Sequence, residues 1–248
     1  MEIAPDLFAY VWQGQGNNCN SYALRYSVAG KPHFAVVDPG LRAVPNPVID
    51  PRTGRMVSLR QEPGLDSLLN LMAKDGIEAQ NIGLIINTHA HSDHCESSPL
   101  LAQKSGALIA LHPQDEESYL NQMKRSYPGK DTRLEPDLYL EEGELRLGSP
   151  TGPSLKVVHT PGHSPGSVSL YWPERKALMG GDVMFYRNTG RFDLPGGDLE
   201  TLRQSVARLS ELDVEWLLCG HPYGHPGIIK GRKEVRDNFS FVLRLVLA

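Results

Sequence analysis

Apolar and polar positions along this chain fall into short apolar runs, each cut off by turn residues. HFAVVDPG (33–40) reads as a buried strand that ends at Asp38 and is stopped by Pro39-Gly40. IGLIINTH (82–89) is a second such strand, and it runs straight into a cluster of histidines. GALIALHP, LKVVHTPGH, SVSLYW, KALMGGDV and VEWLLCGHP repeat the form. Between them the period changes to that of helices. Leu65 to Lys74 has apolar residues at helical spacing, with Gly76 placed to stop it. Ser98-Pro99 reads as an N-cap and first helical residue, opening a helix that Gly106 closes. Asp198 to Leu209 puts Leu199, Leu202, Val206 and Leu209 on one face, and Lys233 to Leu247 reads as a terminal helix. Alternating strands and helices, with a denser run of strands around 155–183, predict sheets covered by helices on the outside.

Residues 39–64 break this rhythm with Pro39, Pro45, Pro47, Pro51 and Pro63. Within them VIDPRTGRMVSL reads as a small hairpin turning at Pro51-Arg52-Thr53-Gly54, either a projecting arm or a disordered surface loop.

Histidine placement changes the picture most. Three of the nine histidines, with one aspartate, stand in six positions: His89, Ala90, His91, Ser92, Asp93, His94. In extended backbone i and i+2 point the same way, so His89 and His91 can converge on one ion. Asp93 and His94 follow as the chain bends, and can face a neighbouring point. Imidazole and carboxylate together suit Zn²⁺, Fe²⁺ or Mn²⁺. Alone, the cluster also reads as a polar loop. However, His163, Asp182 and His221 each follow a buried strand in a Gly-flanked turn. Loops at one edge of a sheet meet in space and carry sites.

Length and charge narrow the reading. The 248 residues accommodate one large α/β domain or two small ones. A net charge of -4 leaves no basic footprint for nucleic acid. No apolar run is long enough to span a bilayer. The N-terminal MEIAPDLFAY lacks the basic and apolar regions of a secretory signal, and three scattered cysteines argue against a disulfide framework. We therefore expect a cytoplasmic protein that engages neither nucleic acid nor membrane. Its partner would be a small-molecule substrate, with the oligomeric state open and a homodimer one candidate.

The ligand-type residues, together with NCNSYAL, VVDPG, HTPGHSPGS, GGDVMF, GRFDLPGGD and CGH, resemble the signature of the metallo-β-lactamase-fold hydrolases, nearest their glyoxalase II-like branch. The resemblance covers nearly the whole chain. It implies an α/β fold, an αββα sandwich of two mixed β-sheets with helices on the outer faces, formed by one domain over 1–248 with the proline-rich arm inserted at about 39–64. It also implies two divalent metal ions, zinc first with iron or manganese as alternatives. One would be held by His89, His91 and His163, the other by Asp93, His94 and His221, with Asp182 bridging. The implied activity is attack of a metal-bridging hydroxide on a small ester or thioester carbonyl. Asp93 is then the catalytic residue that orients the hydroxide and passes a proton.

Other residues carry weaker expectations. Tyr186, Arg187, Tyr223 and His225 are candidate substrate contacts. Arg191-Phe192-Asp193 reads as a fixed, salt-bridged turn. Asp38 reads as a structural carboxylate that caps amides or holds a ligand loop, and His159 as a hydrogen-bonding support. His112 is mainly structural, His33 exposed in a turn, and Cys95 and Cys219 packing residues. An acid at the bridge argues against β-lactam opening. Fewer than thirty residues of this sequence follow His221, so we expect no counterpart to the helical C-terminal domain with which glyoxalase II grips glutathione. Either the arm holds the substrate or the substrate is not a glutathione thioester. A lactonase is one alternative. Another is a persulfide dioxygenase with a single iron on His89, His163 and Asp182.

Overall fold

A computed structural model describes residues 1–129 and 135–247. Among them, one sheet holds β1 (Glu2–Ala4), β2 (Leu7–Tyr10), β3 (Ser21–Val28), β4 (Lys31–Val37), β7 (Ile82–Ile86), β8 (Leu108–Leu111) and β9 (Leu138–Tyr139), paired in that order. The two strands skipped, β5 (Ala43–Ile49) and β6 (Met56–Pro63), pair only with each other. The second sheet runs β10 (Gly143–Arg146), β11 (Ser154–His159), β12 (Val168–Trp172), β13 (Ala177–Gly181), β14 (Trp216–Cys219) and β15 (Ile228–Lys230). Both sheets are mixed: β4–β7–β8–β9 and β13–β14 are parallel and the remaining pairings antiparallel.

The apolar runs are continuous because these strands are covered on both faces. Successive residues of β2 and β4 separate cleanly. Leu7, Ala9, Ala35 and Val37 face the second sheet and meet Leu155, Val157, Leu170 and Met179. Phe8, Tyr10, Phe34 and Val36 face outward onto α1 (Leu65–Lys74), α3 (Ser98–Ser105) and α4 (Glu116–Ser126) through Leu68, Met72, Leu101, Tyr119 and Met123. The outer face of the second sheet, including Leu178 and Leu217, packs on α5 (Leu199–Leu209) and α6 (Arg232–Phe241) through Leu202, Val206, Val235 and Phe239. The architecture is the expected αββα sandwich, with sheets face to face and helices outside.

Several local expectations shift. The 98–105 helix starts one residue earlier than its cap was placed. The short α2 (Ser92–Cys95) leads almost directly into it, so Ser97 is the cap residue and the Ser98 hydroxyl instead donates to Asn87 Oδ1 at 2.7 Å. Gly106 closes this helix at φ 77°, where a residue with a side chain would be strained. Asp198 does cap α5, its carboxylate accepting from the Thr201 amide, but Leu199 at the first turn remains exposed. The terminal helix widens after Phe241 into a π-turn over Val242–Val246. His33 lies on β4, half-buried against Tyr26, rather than in an exposed turn. No helix of the described residues is long and apolar enough to cross a membrane.

Candidate metal centre

The site lies where the C-terminal ends of β4, β7, β13 and β14 open at one edge of the two sheets. β7 delivers Asn87, Thr88 and His89; β13 ends just before Asp182, and β14 just before Gly220 and His221. Close packing at the crossing requires glycine at 220, where a Cβ would collide with Asp182 Oδ1 and stand 2.9 Å from the Gly181 carbonyl. The segment NCNSYAL joins the sheets. Asn20 donates to the carbonyls of Cys219 (3.2 Å) and Pro226 (3.0 Å), and the Tyr22 hydroxyl to that of Cys219 (2.6 Å).

All seven expected ligand residues meet here, in three overlapping groups whose donor atoms lie within 4.8 Å of one another: His89, His91 and His163; His89, His94 and Asp182; Asp93, His94 and His221. Their orientation is informative. Each of four rings directs its Nδ1 proton outward: His89 to the Thr88 hydroxyl (3.1 Å), His94 to Asp38 Oδ2 (2.9 Å), His163 to the Arg191 carbonyl (2.6 Å), His221 to the Asn18 carbonyl (3.0 Å). That leaves each Nε2 pointing inward. Inside, nitrogens face nitrogens: His163 Nε2 is 3.2 Å from His89 Nε2 and 2.8 Å from His91 Nδ1, and His94 Nε2 is 3.1 Å from His221 Nε2. Opposed lone pairs repel unless a proton or a cation stands between them. Asp182 Oδ1 is buried without a hydrogen-bond partner among the described residues, its nearest cationic neighbour being His94 Nε2 at 3.2 Å, an arrangement that a coordinated ion would complete. The donor set therefore fits the divalent metal ions that the fold implies.

Electrostatics divides the cluster. Burial and the neighbouring imidazoles hold His89 well below its ordinary pKa and His91 at about 4. Burial also opposes charge on His94 and His221. There the carboxylates prevail: Asp182 and Asp38 raise His94 well above its ordinary value, and Asp182 and Asp93 raise His221 to about 9. Against the cost of burial, the same imidazoles lower Asp182 well below the usual range and Asp93 to about 2.

Asp38, at φ 52°, is more closely tied to the site than its sequence position suggested. It accepts the Thr88 amide (2.7 Å) and hydroxyl (2.7 Å) as well as the His94 ring, so it caps an amide and holds a ligand directly.

A cavity of about 510 Å³ opens over the cluster, lined in part by Asn17, Gln122, Phe185, Asn188, Thr189, Arg191, Leu194 and Tyr223. Tyr223 is thus placed as expected, its ring stacked on His221 (4.6 Å, 3°). Tyr186, Arg187 and His225 are not brought to the cavity. Tyr186 stacks on His225 (4.2 Å), and Arg187, at φ 53°, turns its guanidinium onto the rings of Tyr186 and Phe241. Arg191 forms the expected bidentate pair with Asp193, both contacts at 2.9 Å, while also lining the cavity. His112 stacks on His159 (4.2 Å), which hydrogen-bonds the Pro165 carbonyl, and neither lines the cavity. Cys95 and Cys219 are fully buried packing residues. The sequence reading missed Asn17, whose amide donates to Asp93 Oδ2 (2.7 Å) and accepts from the Tyr223 hydroxyl (2.7 Å). The adjoining asparagine-rich run was its one available signal.

Fold and site together define a metallo-hydrolase architecture with a clustered His and Asp donor set. The chain belongs to the metallo-beta-lactamase superfamily, whose family model matches residues 14–221. It is 34% identical over 180 residues to an uncharacterized protein of Aquifex aeolicus, covering 70% of this chain and 82% of that one. It is 35% identical over 165 residues to hydroxyacylglutathione hydrolase GloC of Haemophilus influenzae, covering 64% and 75%. Among solved structures, TTHA1623 in a di-iron-bound form superposes with a TM-score of 0.59 at 29% identity, over 86% of this chain and 91% of that one.

Proposed function

We propose that this chain is a dinuclear metal-dependent hydrolase of small ester or thioester carbonyls, with His89, His91 and His163 holding one ion, Asp93, His94 and His221 the other, and Asp182 shared. The observation that carries this reading is the convergence of seven donors in overlapping groups, with the ring nitrogens turned inward. When bound, the ions would supply a hydroxide nucleophile near neutral pH and polarise the carbonyl under attack. The protein's part is to aim and to move protons. Asn17 fixes one Asp93 oxygen, leaving that carboxylate placed to orient the nucleophile and then to take or hand on a proton. Tyr223 buttresses both His221 and Asn17. The di-iron relative and the similarity to GloC support the dinuclear thioesterase branch over a mononuclear iron site.

The cavity adds a constraint on substrate. Its described lining has one cation, Arg191, already held by Asp193. Away from the ligand residues His91, Asp93, His163 and Asp182, the remaining walls offer neutral amides and hydroxyls around Phe185 and Leu194. Such a surface suits an uncharged acyl portion rather than a carboxylate. Metal analysis of protein purified without added metal, paired with assays on an S-acylglutathione, a lactone and a β-lactam, tests the proposal. About two ions per chain with hydrolysis of the thioester is expected. One iron per chain with oxygen consumption on persulfides would overturn it.

A further inference from the structure

Asp115 is a buried carboxylate that approaches none of the metal-ligand atoms, yet it joins the two loops that carry the first trio. It lies at the end of a 3₁₀ turn over Pro113–Asp115, immediately before α4, and is 1% exposed. Its Oδ2 accepts from the amide of Ala90 (2.8 Å) and the hydroxyl of Ser164 (2.8 Å), and its Oδ1 from the amide of Gly166 (2.7 Å). Ala90 stands between His89 and His91, and Ser164 follows His163. The fit is tight: a Cβ at Gly166 would lie 2.6 Å from the Asp115 amide nitrogen and 2.8 Å from its Cγ. From the other side the Ala90 carbonyl accepts from Gln122 of α4, so both polar backbone groups between two ligands are held by one segment. No comparable contact runs from Asp115 to Asp93, His94 or His221, which depend on Asn17, Asp38 and the Asn18 carbonyl.

We infer that Asp115 is a positioning residue for the first half-site alone. It sets the spacing of His89 and His91 from His163, and so the affinity of that trio, while leaving the second half-site unchanged. The inference rests on the dinuclear reading above. With Asp115 shortened, the Ala90 and Gly166 amides lose their shared acceptor and the two loops can separate. Loss of a group that supports metal ligands typically lowers affinity 10–100-fold.

The test is a titration of the metal-free full-length chain with Co²⁺, followed by ligand-field absorbance and by stoichiometry. Wild type is expected to take up two equivalents. Asp115→Ala should bind one with unchanged affinity and the other about 10–100-fold more weakly. Asp115→Asn, which keeps the volume and one acceptor, should fall in between. Ser164→Ala removes one donor while leaving both amides on Asp115. It provides a milder variant should Asp115→Ala fail to fold, and is expected to weaken the same equivalent several-fold. Placing Asp115→Asn on a His221→Ala background, which lacks a ligand of the second half-site only, identifies the half-site: the surviving equivalent should then weaken too. Equal weakening of both equivalents, or of neither, overturns the inference. Uptake of a single equivalent by wild type would instead overturn the dinuclear reading, and the Asp115 inference would then stand or fall on whether that equivalent weakens.

Discussion

The two halves of the metal cluster are built from similar residues but held in different ways. The loops of His89, His91 and His163 are tied together through their backbone by Asp115, besides the Nδ1 contacts of His89 and His163, and burial keeps His89 and His91 uncharged. Asp93, His94 and His221 are gripped through their side chains by Asn17, Asp38 and the Asn18 carbonyl. With Asp182 among them they form a network of opposite charges. In the first half imidazole nitrogens face one another, whereas in the second the carboxylates favour protonated imidazoles. A cation entering the first meets ready donors, whereas one entering the second must displace protons, as metal binding to imidazole generally requires.

Removing the residue that the halves share should have the largest effect. Asp182→Ala is expected to lose both ions and hydrolysis together, with a fall in kcat/KM well beyond the roughly 10–100-fold that supporting residues cost. Metal content and steady-state kinetics on one preparation check this. Full activity in that variant would mean that Asp182 is not the bridge.

Next in size is Asp38→Asn, which separates the halves. Both Asp38 oxygens accept hydrogen bonds, and the one facing His94 takes a ring proton. An amide NH₂ in that place would push the His94 proton onto Nε2, the atom that must face the ion. The expected result is a folded protein whose second equivalent of metal is weakened about 10–100-fold and whose first is weakened less, because His89 meets Asp38 only through the Thr88 hydroxyl. Isothermal titration with Zn²⁺ would show a single tight event. Two tight events would remove Asp38 from the supporting set.

The pH dependence of metal-free stability sharpens the comparison further. His91 titrates at about 4 in the folded chain against an ordinary 6.5, so the unfolded chain binds protons first and stability falls as pH drops from about 6.5 through 4. His221 is raised to about 9, so its contribution is complete below 6.5 and is lost as pH rises through 9. Urea denaturation of the metal-free chain should therefore show a maximum near pH 6.5, with limbs of order 1–3 kcal/mol. His91→Ala should chiefly lessen the acid limb, which His89 shares, and His221→Ala chiefly the alkaline one, which His94 shares. A profile that is flat from pH 5 to 9 would contradict the division.

What the sequence made legible follows the same logic. Strands buried on both faces stand out as unbroken apolar runs, and ligands at their ends stand out because each must be His or Asp in a Gly-rich turn. Supports are harder to see. Asp38 lies 56 residues from the His94 ring it holds, and Asp115 lies 51 from Gly166. In a linear reading both are simply acids at the end of an element. The helix α4 was missed because Tyr119 and Met123 are its fully buried residues in an otherwise polar stretch, too thin a stripe to register as a face. β9 and β10 are short and largely exposed, so they leave no apolar run to read. Tyr186 and Arg187, close to Asp182 in sequence, do not line the cavity because the chain reverses at the positive-φ Arg187.

The smallest effect should come from the proline-rich arm, which supports neither half-site. Its strands pair from Ala43↔Pro63 to Ile49↔Met56, and its base is anchored by buried Val44 and by Glu62, which accepts from the Gln15 amide (2.9 Å) and from Asn46 (2.6 Å). Beyond that base the apolar residues Ile49, Met56, Val57 and Leu59 are exposed, and no residue from 43 to 63 lines the metal cavity. A role for the arm in gripping substrate therefore has no contact to rest on. Replacing residues 48–58 with a short Asn-Gly turn should leave KM within about twofold and stability within roughly 0.5 kcal/mol, as for surface changes elsewhere. Kinetics and thermal denaturation of the shortened chain measure both. A fivefold or greater rise in KM at unchanged stability would mean that the hairpin folds over the cavity when substrate binds, restoring to the arm the gripping role that its place in the fold denies it.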